Sequence, residues 1–161
     1  MFFATEVWAF LALPRIERSI DIEASRDKVW EIISDLDNEA DYWWGTKEVH
    51  NLSREGNVIN RYIVQNFRNH KITQRVVLNP KESIEIEYLK GLTEGTKTIR
   101  LESLANDKQR VTATWDVRFP GIYRLFNSYL ISHILKGTVG ALQRIKDVSE
   151  GRPIAEEPTK A

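Results

Sequence analysis

Between residues 46 and 119 the chain reads as six strand-like stretches in succession, 46–53, 57–67, 70–79, 82–90, 96–104 and 109–119. The breaks between them leave room only for reversals of direction. Glu55-Gly56-Asn57, Asn69-His70, Asn79-Pro80-Lys81, Gly91 to Gly95 and Asn106-Asp107-Lys108 are mostly turn-forming residues. A parallel crossover needs a dozen residues or more, so these stretches must form an antiparallel meander. A seventh strand precedes them. In RIERSIDIE, residues 15–23, Ile16, Ile20 and Ile22 share one parity with charged residues between them, the period-2 pattern of a half-buried strand.

Four of the later strands have a clear inner parity: Ile72, Val76 and Leu78; Ile84, Ile86 and Tyr88; Ile99 and Leu101; Val111, Ala113, Trp115 and Val117. The alternate residues, among them Lys71, Arg75, Glu85, Glu87, Thr112 and Asp116, then face water. The 57–67 strand is ambiguous: Ile59, Ile63 and Phe67 share a parity with Arg61 and Gln65, while Val58, Tyr62 and Val64 share theirs with Asn60 and Asn66. Either choice turns polar groups inward. Unpartnered, each costs about 1 to 3 kcal/mol, so such an interior suits water or a ligand better than a dry core.

Helical signals lie only at the two ends of the meander. Ser25 is placed to cap a helix whose positive end suits Asp27, although Lys28 stands where a capping box would carry Glu. Val29, Ile32, Ile33 and Leu36 give this helix one buried stripe, and SDLDN breaks it before a short second helix, 38–43, that ends at Gly45. Pro120, at a first helical position, opens a helical pattern over 121–149, about 40 Å long. Its stripe of Ile122, Phe126, Leu130, Ile134, Ala141, Ile145 and Val148 fits the sheet, with Tyr129, His133 and Gly140 on the flank. A second apolar group, Ile131, Leu135, Val139 and Leu142, points away and needs a cover.

The segment MFFATEVWAFLAL is the nearest candidate for that cover, through Val7, Trp8, Phe10 and Leu11; a second subunit, giving a homodimer through this helix or the N-terminal extension, is the other. The segment lacks a basic leader and a cleavage site, and it is shorter than the roughly 20 apolar residues of a membrane span. Burial against the domain or a partner is the leading reading, with interfacial membrane contact as an alternative. The polar, proline-containing end EGRPIAEEPTKA should fray.

Lys plus Arg equals Asp plus Glu at 23 each, so no net field concentrates nucleic acid or anionic lipid. Cysteine is absent, which excludes disulfides, a thiolate nucleophile and Cys-ligated metals, and suits the cytoplasm. His50, His70 and His133 have no metal-ligand spacing, and no nucleophile elbow, phosphate loop or dinucleotide fingerprint is present; no metal or cofactor is expected.

The stretch IERSIDIEASRDKVWEIISDLDNEADYWW, followed by TATWDVRF and a long helix ending LQRIK, resembles the START-like, or SRPBCC, superfamily of polyketide cyclase/dehydrase-like and lipid-transfer proteins. The resemblance covers about residues 14–149, leaving 1–13 as an apolar extension and 150–161 as a flexible tail. It implies an α+β helix-grip fold: a seven-stranded curved antiparallel sheet wrapped around the C-terminal helix, with a ligand cavity between them. It also implies that Tyr42, Trp43 and Trp44 sit at the cavity rim. With the parities above, the expected ligand-binding residues are Trp44, Tyr62, Val76, Ile86, Ile99, Trp115, Phe126, Tyr129 and His133.

The function implied is binding of a hydrophobic small molecule, a lipid, isoprenoid or polyketide-like compound, for carriage, sequestration or presentation. The alternatives are a polyketide cyclase/aromatase-like enzyme using the same cavity and a protein-interaction module. An enzyme needs an acid–base group beside the substrate, for which Tyr62, His133 and Arg61 are the candidates. Arg61 and Arg100 could each contact an anionic ligand group, but both otherwise read as outward strand positions.

Overall fold

The computed structural model describes residues 15–156. Its strands are β1 (Arg15–Ile22), β2 (Thr46–Glu55), β3 (Val58–Gln65), β4 (Lys71–Asn79), β5 (Ser83–Lys90), β6 (Glu94–Ser103) and β7 (Gln109–Arg118). They form one curved antiparallel sheet in the order β1-β7-β6-β5-β4-β3-β2. The meander is thus realised in full, and β1 closes onto the last strand, with Arg15 opposite Asp116 and Ile22 opposite Gln109. The helices are α1 (Arg26–Ile33), α2 (Glu39–Tyr42) and α3 (Asn127–Ser149), with 3-10 segments at Leu36–Asn38 and Gly121–Phe126. This is the α+β helix-grip arrangement.

The turns work through backbone geometry that few residues adopt. Gly56, Arg68, Asn69, Lys81, Asn106 and Asp107 all have φ between 52° and 61°, the left-handed region that reverses tight hairpins. Gly95, at φ 120°, is a different case: a Cβ there would lie 2.1 Å from the Asp116 carbonyl oxygen, so only glycine lets β6 approach β7 at this point.

Period-2 burial runs as expected along β4 to β7. Ile72, Val76, Leu78, Ile84, Ile86, Tyr88, Ile99, Leu101, Val111, Ala113 and Val117 are buried beneath Val29, Ile32, Ile33 and Leu36 of the first helical segment and Leu130, Ala141, Leu142 and Ile145 of α3. Ser25 caps α1 as read, its hydroxyl accepting the Lys28 N–H at 3.2 Å. Ser25→Ala should lower stability by about 1 kcal/mol, measured as a shift of the urea midpoint at unchanged m-value.

The C-terminal helix departs from expectation. Pro120 caps a 3-10 turn, and regular α-helix begins only at Asn127, which leaves 23 residues, about 35 Å. Apart from Leu130, its buried residues lie in the second half: Thr138, Ala141, Leu142, Arg144, Ile145 and Ser149. Leu142, assigned to the outward group, is 2% exposed, whereas Ile122, Phe126 and Tyr129 are 67%, 55% and 62% exposed. A straight α-helix cannot keep one stripe on a curved sheet along its whole length, so the N-terminal turns leave it. Residues 1–13, the expected cover for the outward apolar group, lie outside the described residues.

The other end of α3 is tied down. The Glu150 carboxylate accepts the Glu23 N–H at 2.8 Å and pairs with Lys146 at 2.9 Å and Arg152 at 2.7 Å. Burial pushes this carboxyl up, but these partners more than reverse it and hold it at about 2. The polar tail therefore begins as an ordered anchor at Glu150 to Arg152; residues 157–161 lie outside the described residues.

Candidate functional site

β3 resolves its ambiguity in favour of Ile59 and Ile63, 3% exposed each, and period-2 geometry then carries Arg61 inward between them. Arg61 is 0% exposed, which corrects its reading as an outward position; Arg100 is exposed as expected. The ladder registers extend this polar position across the sheet. Arg61 stands opposite Gln74, Gln74 opposite Tyr88, and Lys97 opposite Trp115. Between β5 and β6 the line steps diagonally, since Tyr88 faces Gly95 and Lys97 faces Ile86; five neighbouring strands thus each place a polar or polar-tipped side chain on the concave face, in a stepped row through an otherwise aliphatic surface.

The helical connection closes over this row. Arg61 donates from Nε to Gln74 Oε1 at 2.8 Å, and its Nη1 lies 2.6 Å from Glu39 Oε2, an ion pair with almost no solvent exposure. Glu39 comes from the first turn of α2. Trp43, just past the end of α2, lays its indole against Lys97, whose Nζ is 3.1 Å from the Trp43 ring centre and 4.6 Å from that of Trp115. Trp43 and Trp115 meet edge to face at 6.1 Å, and Tyr88 stacks on Trp115 at 6.1 Å. Within the row, Arg61 Nη2 and Trp115 Nε1 are buried donors with neither a hydrogen-bond nor an ion-pair partner among the described residues.

The electrostatics of the row are those of a desolvated site. Burial pushes the Glu39 carboxyl up, but the Arg61 guanidinium, with Lys97 behind it, reverses this and holds Glu39 below its ordinary value. Burial drives the Lys97 ammonium down to about 7; Glu39 opposes that shift and Arg61 adds to it. Burial likewise pushes the Tyr88 phenol far up, leaving it neutral and able to donate. With Glu39 ionised, Arg61 charged and Lys97 protonated, the row carries one positive charge in excess.

Two surface depressions flank the strands that carry this row. A depression of about 370 Å³, lined by His70, Lys71, Gly91, Leu92, Pro120, Gly121 and Tyr123, sits where β4 begins, β5 ends and β7 has just ended. Lys71 is three residues from Gln74 along β4, and Leu92 four residues beyond Tyr88. Tyr123 Oη and His70 Nε2 meet across it at 3.3 Å. A second depression, about 500 Å³, lies between the α1–α2 connection and β2, lined by Asp35, Asp37, Asn51 and Arg54 among others. Its floor includes Ile59, two residues from Arg61 on the inward face of β3, with Leu36 and Leu78, so this side too approaches the row.

The residues expected at the site divide by position. Val76, Ile86 and Ile99 are buried on the concave face, and Trp115 stands in the row itself. Tyr62 lies on the opposite face of β3 from Arg61, stacked on His50 at 4.4 Å under the Lys71 ammonium. Phe126, Tyr129 and His133 are exposed on α3 and the turn before it, where the latter two stack at 6.3 Å. These four are not brought together with the row, because β3 turned its other parity inward and α3 leaves the sheet before its stripe reaches Phe126.

Trp44 exchanges roles with Trp43. Its ring lies 3.6 Å from the Arg144 guanidinium, whose Nε donates to the Tyr42 carbonyl at 2.7 Å, and its own carbonyl accepts from Asn66. Gly140 makes room for that guanidinium, since a Cβ there would meet Arg144 at 3.0 Å. Trp44 thus fastens the connection to α3 while Trp43 turns inward.

Glu39, Gln74 and Lys97 were not among the expected site residues. Gln74 and Lys97 were findable: each sits at an inner-parity position, between Ile72 and Val76 and two residues before Ile99. Glu39 carries no such signal, because a four-residue helix has no period long enough to mark a face. Among the described residues no group of three or more His, Cys, Asp or Glu is arranged to hold a metal ion, and no helix is long and apolar enough to cross a membrane.

The family described as polyketide cyclase / dehydrase and lipid transport matches residues 14–150. No curated protein matches the sequence. Among solved structures, the Zhui aromatase/cyclase from Streptomyces sp. R1128 is similar at 18% identity, with 85% of this chain and 93% of that one covered and a TM-score of 0.69. A Thermus thermophilus protein matches at 14% identity over 82% and 93% of the two chains, TM-score 0.69. A START superfamily protein from Mycobacterium smegmatis matches at 14% identity over 81% and 98%, TM-score 0.60. At these identities the likeness is one of fold.

Proposed function

Because the chain belongs to the polyketide cyclase / dehydrase and lipid transport family, we propose that it binds a hydrophobic small molecule between the concave sheet face and the helices, for carriage, sequestration or presentation. The ligand class is a lipid, isoprenoid or polyketide-like compound, and the setting is the cytoplasm. The observation that carries this reading is the buried row itself. A protein selected only for stability gains nothing from burying Arg61, Lys97 and Gln74 on an aliphatic face and leaving Arg61 Nη2 and Trp115 Nε1 unpartnered. In a binding protein the same groups orient the polar end of a ligand whose apolar body rests on Val76, Ile86 and Ile99.

Organic extraction of the natively purified protein, followed by mass spectrometry, is expected to recover a hydrophobic compound in near-stoichiometric amount. A blank extract together with no saturable binding of the neutral probe N-phenyl-1-naphthylamine would overturn the proposal.

One observation favours a second reading, an aromatase/cyclase-like enzyme. Lys97, poised near neutral pH beside Arg61, is better suited to proton transfer than Tyr62 or His133, both of which lie outside the row. Turnover of a poly-β-ketone substrate that disappears in Lys97→Gln with substrate affinity retained would establish it.

A further inference from the structure

The charges of the row determine more than that its ligand has a polar end. Glu39 is engaged by Arg61, Tyr88 and Gln74 are neutral, and Lys97 is held between two indole rings with no carboxylate of its own among the described residues. A neutral carbonyl would satisfy the two unpartnered donors but leave the Lys97 ammonium, wherever it is protonated, without a counter-charge of its own. An anionic oxygen does both. From this geometry we infer that the ligand is a hydrophobic organic anion, a carboxylate, sulfonate or enolate on an apolar body, whose charged oxygens dock against Lys97, Arg61 Nη2 and Trp115 Nε1.

This inference rests on the hydrophobic-ligand reading above and adds the charge. It carries a pH signature. The charged and titratable groups that act on Lys97 are Glu39 from α2 and Arg61 from β3, with Tyr88 of β5 facing the same pair; Arg144 of α3 donates to the Tyr42 carbonyl and lies over the Trp44 ring. A bound anion adds a second negative neighbour to Glu39 and favours the protonated amine. Binding therefore takes up a proton above neutrality, and affinity falls as pH rises past about 7.

A matched pair of fluorescent probes separates the two claims: 1-anilinonaphthalene-8-sulfonate, and N-phenyl-1-naphthylamine, which has the same skeleton without the sulfonate. At pH 6.5 the sulfonate should bind the parent protein at least about tenfold more tightly than the neutral probe, a ratio that shrinks by pH 9. Lys97→Met should bring the ratio towards one, and Lys97→Arg should keep it. Equal affinities for the two probes in the parent would overturn the anionic assignment while leaving the hydrophobic site standing. A ratio unchanged in Lys97→Met would do the same, since it would place the sulfonate elsewhere, for example on the exposed Ile122, Leu125 and Phe126 of the 3-10 turn. Failure of both probes to bind would overturn both claims.

Discussion

Arg61→Ala is expected to lower the stability of the protein by about 3 to 5 kcal/mol, the cost of leaving one partner of a buried ion pair alone. The physical cause is Glu39. With Arg61 present, the carboxylate is ionised and paired at 2.6 Å; without it, the same carboxylate remains buried with only Lys97 as a positive neighbour. The pH dependence identifies the mechanism. In the parent, a depressed Glu39 contributes stability that is present above the ordinary carboxylate value and is lost as pH falls through the folded one. In Arg61→Ala, burial should instead raise Glu39 above its unfolded value, so the variant's deficit is largest near pH 8 and narrows on acidification towards pH 5. A double variant, Arg61→Met with Glu39→Leu, should regain most of the loss, because two apolar side chains can replace a buried pair. Urea unfolding at the two pH values measures all of this. A single variant within about 1 kcal/mol of the parent would show that the pair is not the buried strut its geometry indicates.

Lys97→Met has the opposite sign. Replacing this lysine should raise stability at pH 7 by about 1 to 3 kcal/mol, since burial disfavours its charge and the faces of Trp43 and Trp115 return only about 2 kcal/mol of cation–π attraction. Its folded value, about 7, lies below the ordinary 10.5. Between those two values the unfolded chain binds more protons, so the parent gains stability as pH rises through that window; below it the penalty is fully present. The advantage of Lys97→Met should therefore be greatest at and below pH 7 and shrink towards pH 10. Thermal or urea unfolding across that range is the measurement, and a variant less stable than the parent at pH 7 would mean that the indole cage outweighs desolvation. The expected gain in stability, combined with the expected loss of anion binding, is the usual signature of a residue kept for function.

The chain's periodicities reached a definite depth. Alternation in β4 to β7 marks the inner residues in the sequence itself, because a strand's side chains point up and down whatever surrounds it. Short turns dictated the meander for an equally local reason, and Ser25 acts at α1 through a bond to its own helix. The buried row was half legible. Gln74 and Lys97 occupy inner-parity positions but lack the apolarity that ordinarily marks an inward residue.

What only the tertiary structure decided is everything that depends on two elements meeting. β3 turns Ile59 and Ile63 into the core, and Arg61, carried inward with them, is accommodated only by Glu39 and Gln74, neither of which its own strand reveals. Whether Trp43 or Trp44 points inside follows from Arg144, about a hundred residues further along, which holds the Trp44 ring and the Tyr42 carbonyl. The departure of Phe126 and Tyr129 from the sheet follows from the sheet's curvature against a straight helix. Periodicity is a property of one segment and is written in it. Partnership is a property of pairs distant in the chain, and it appears only when the fold brings them within a few ångströms.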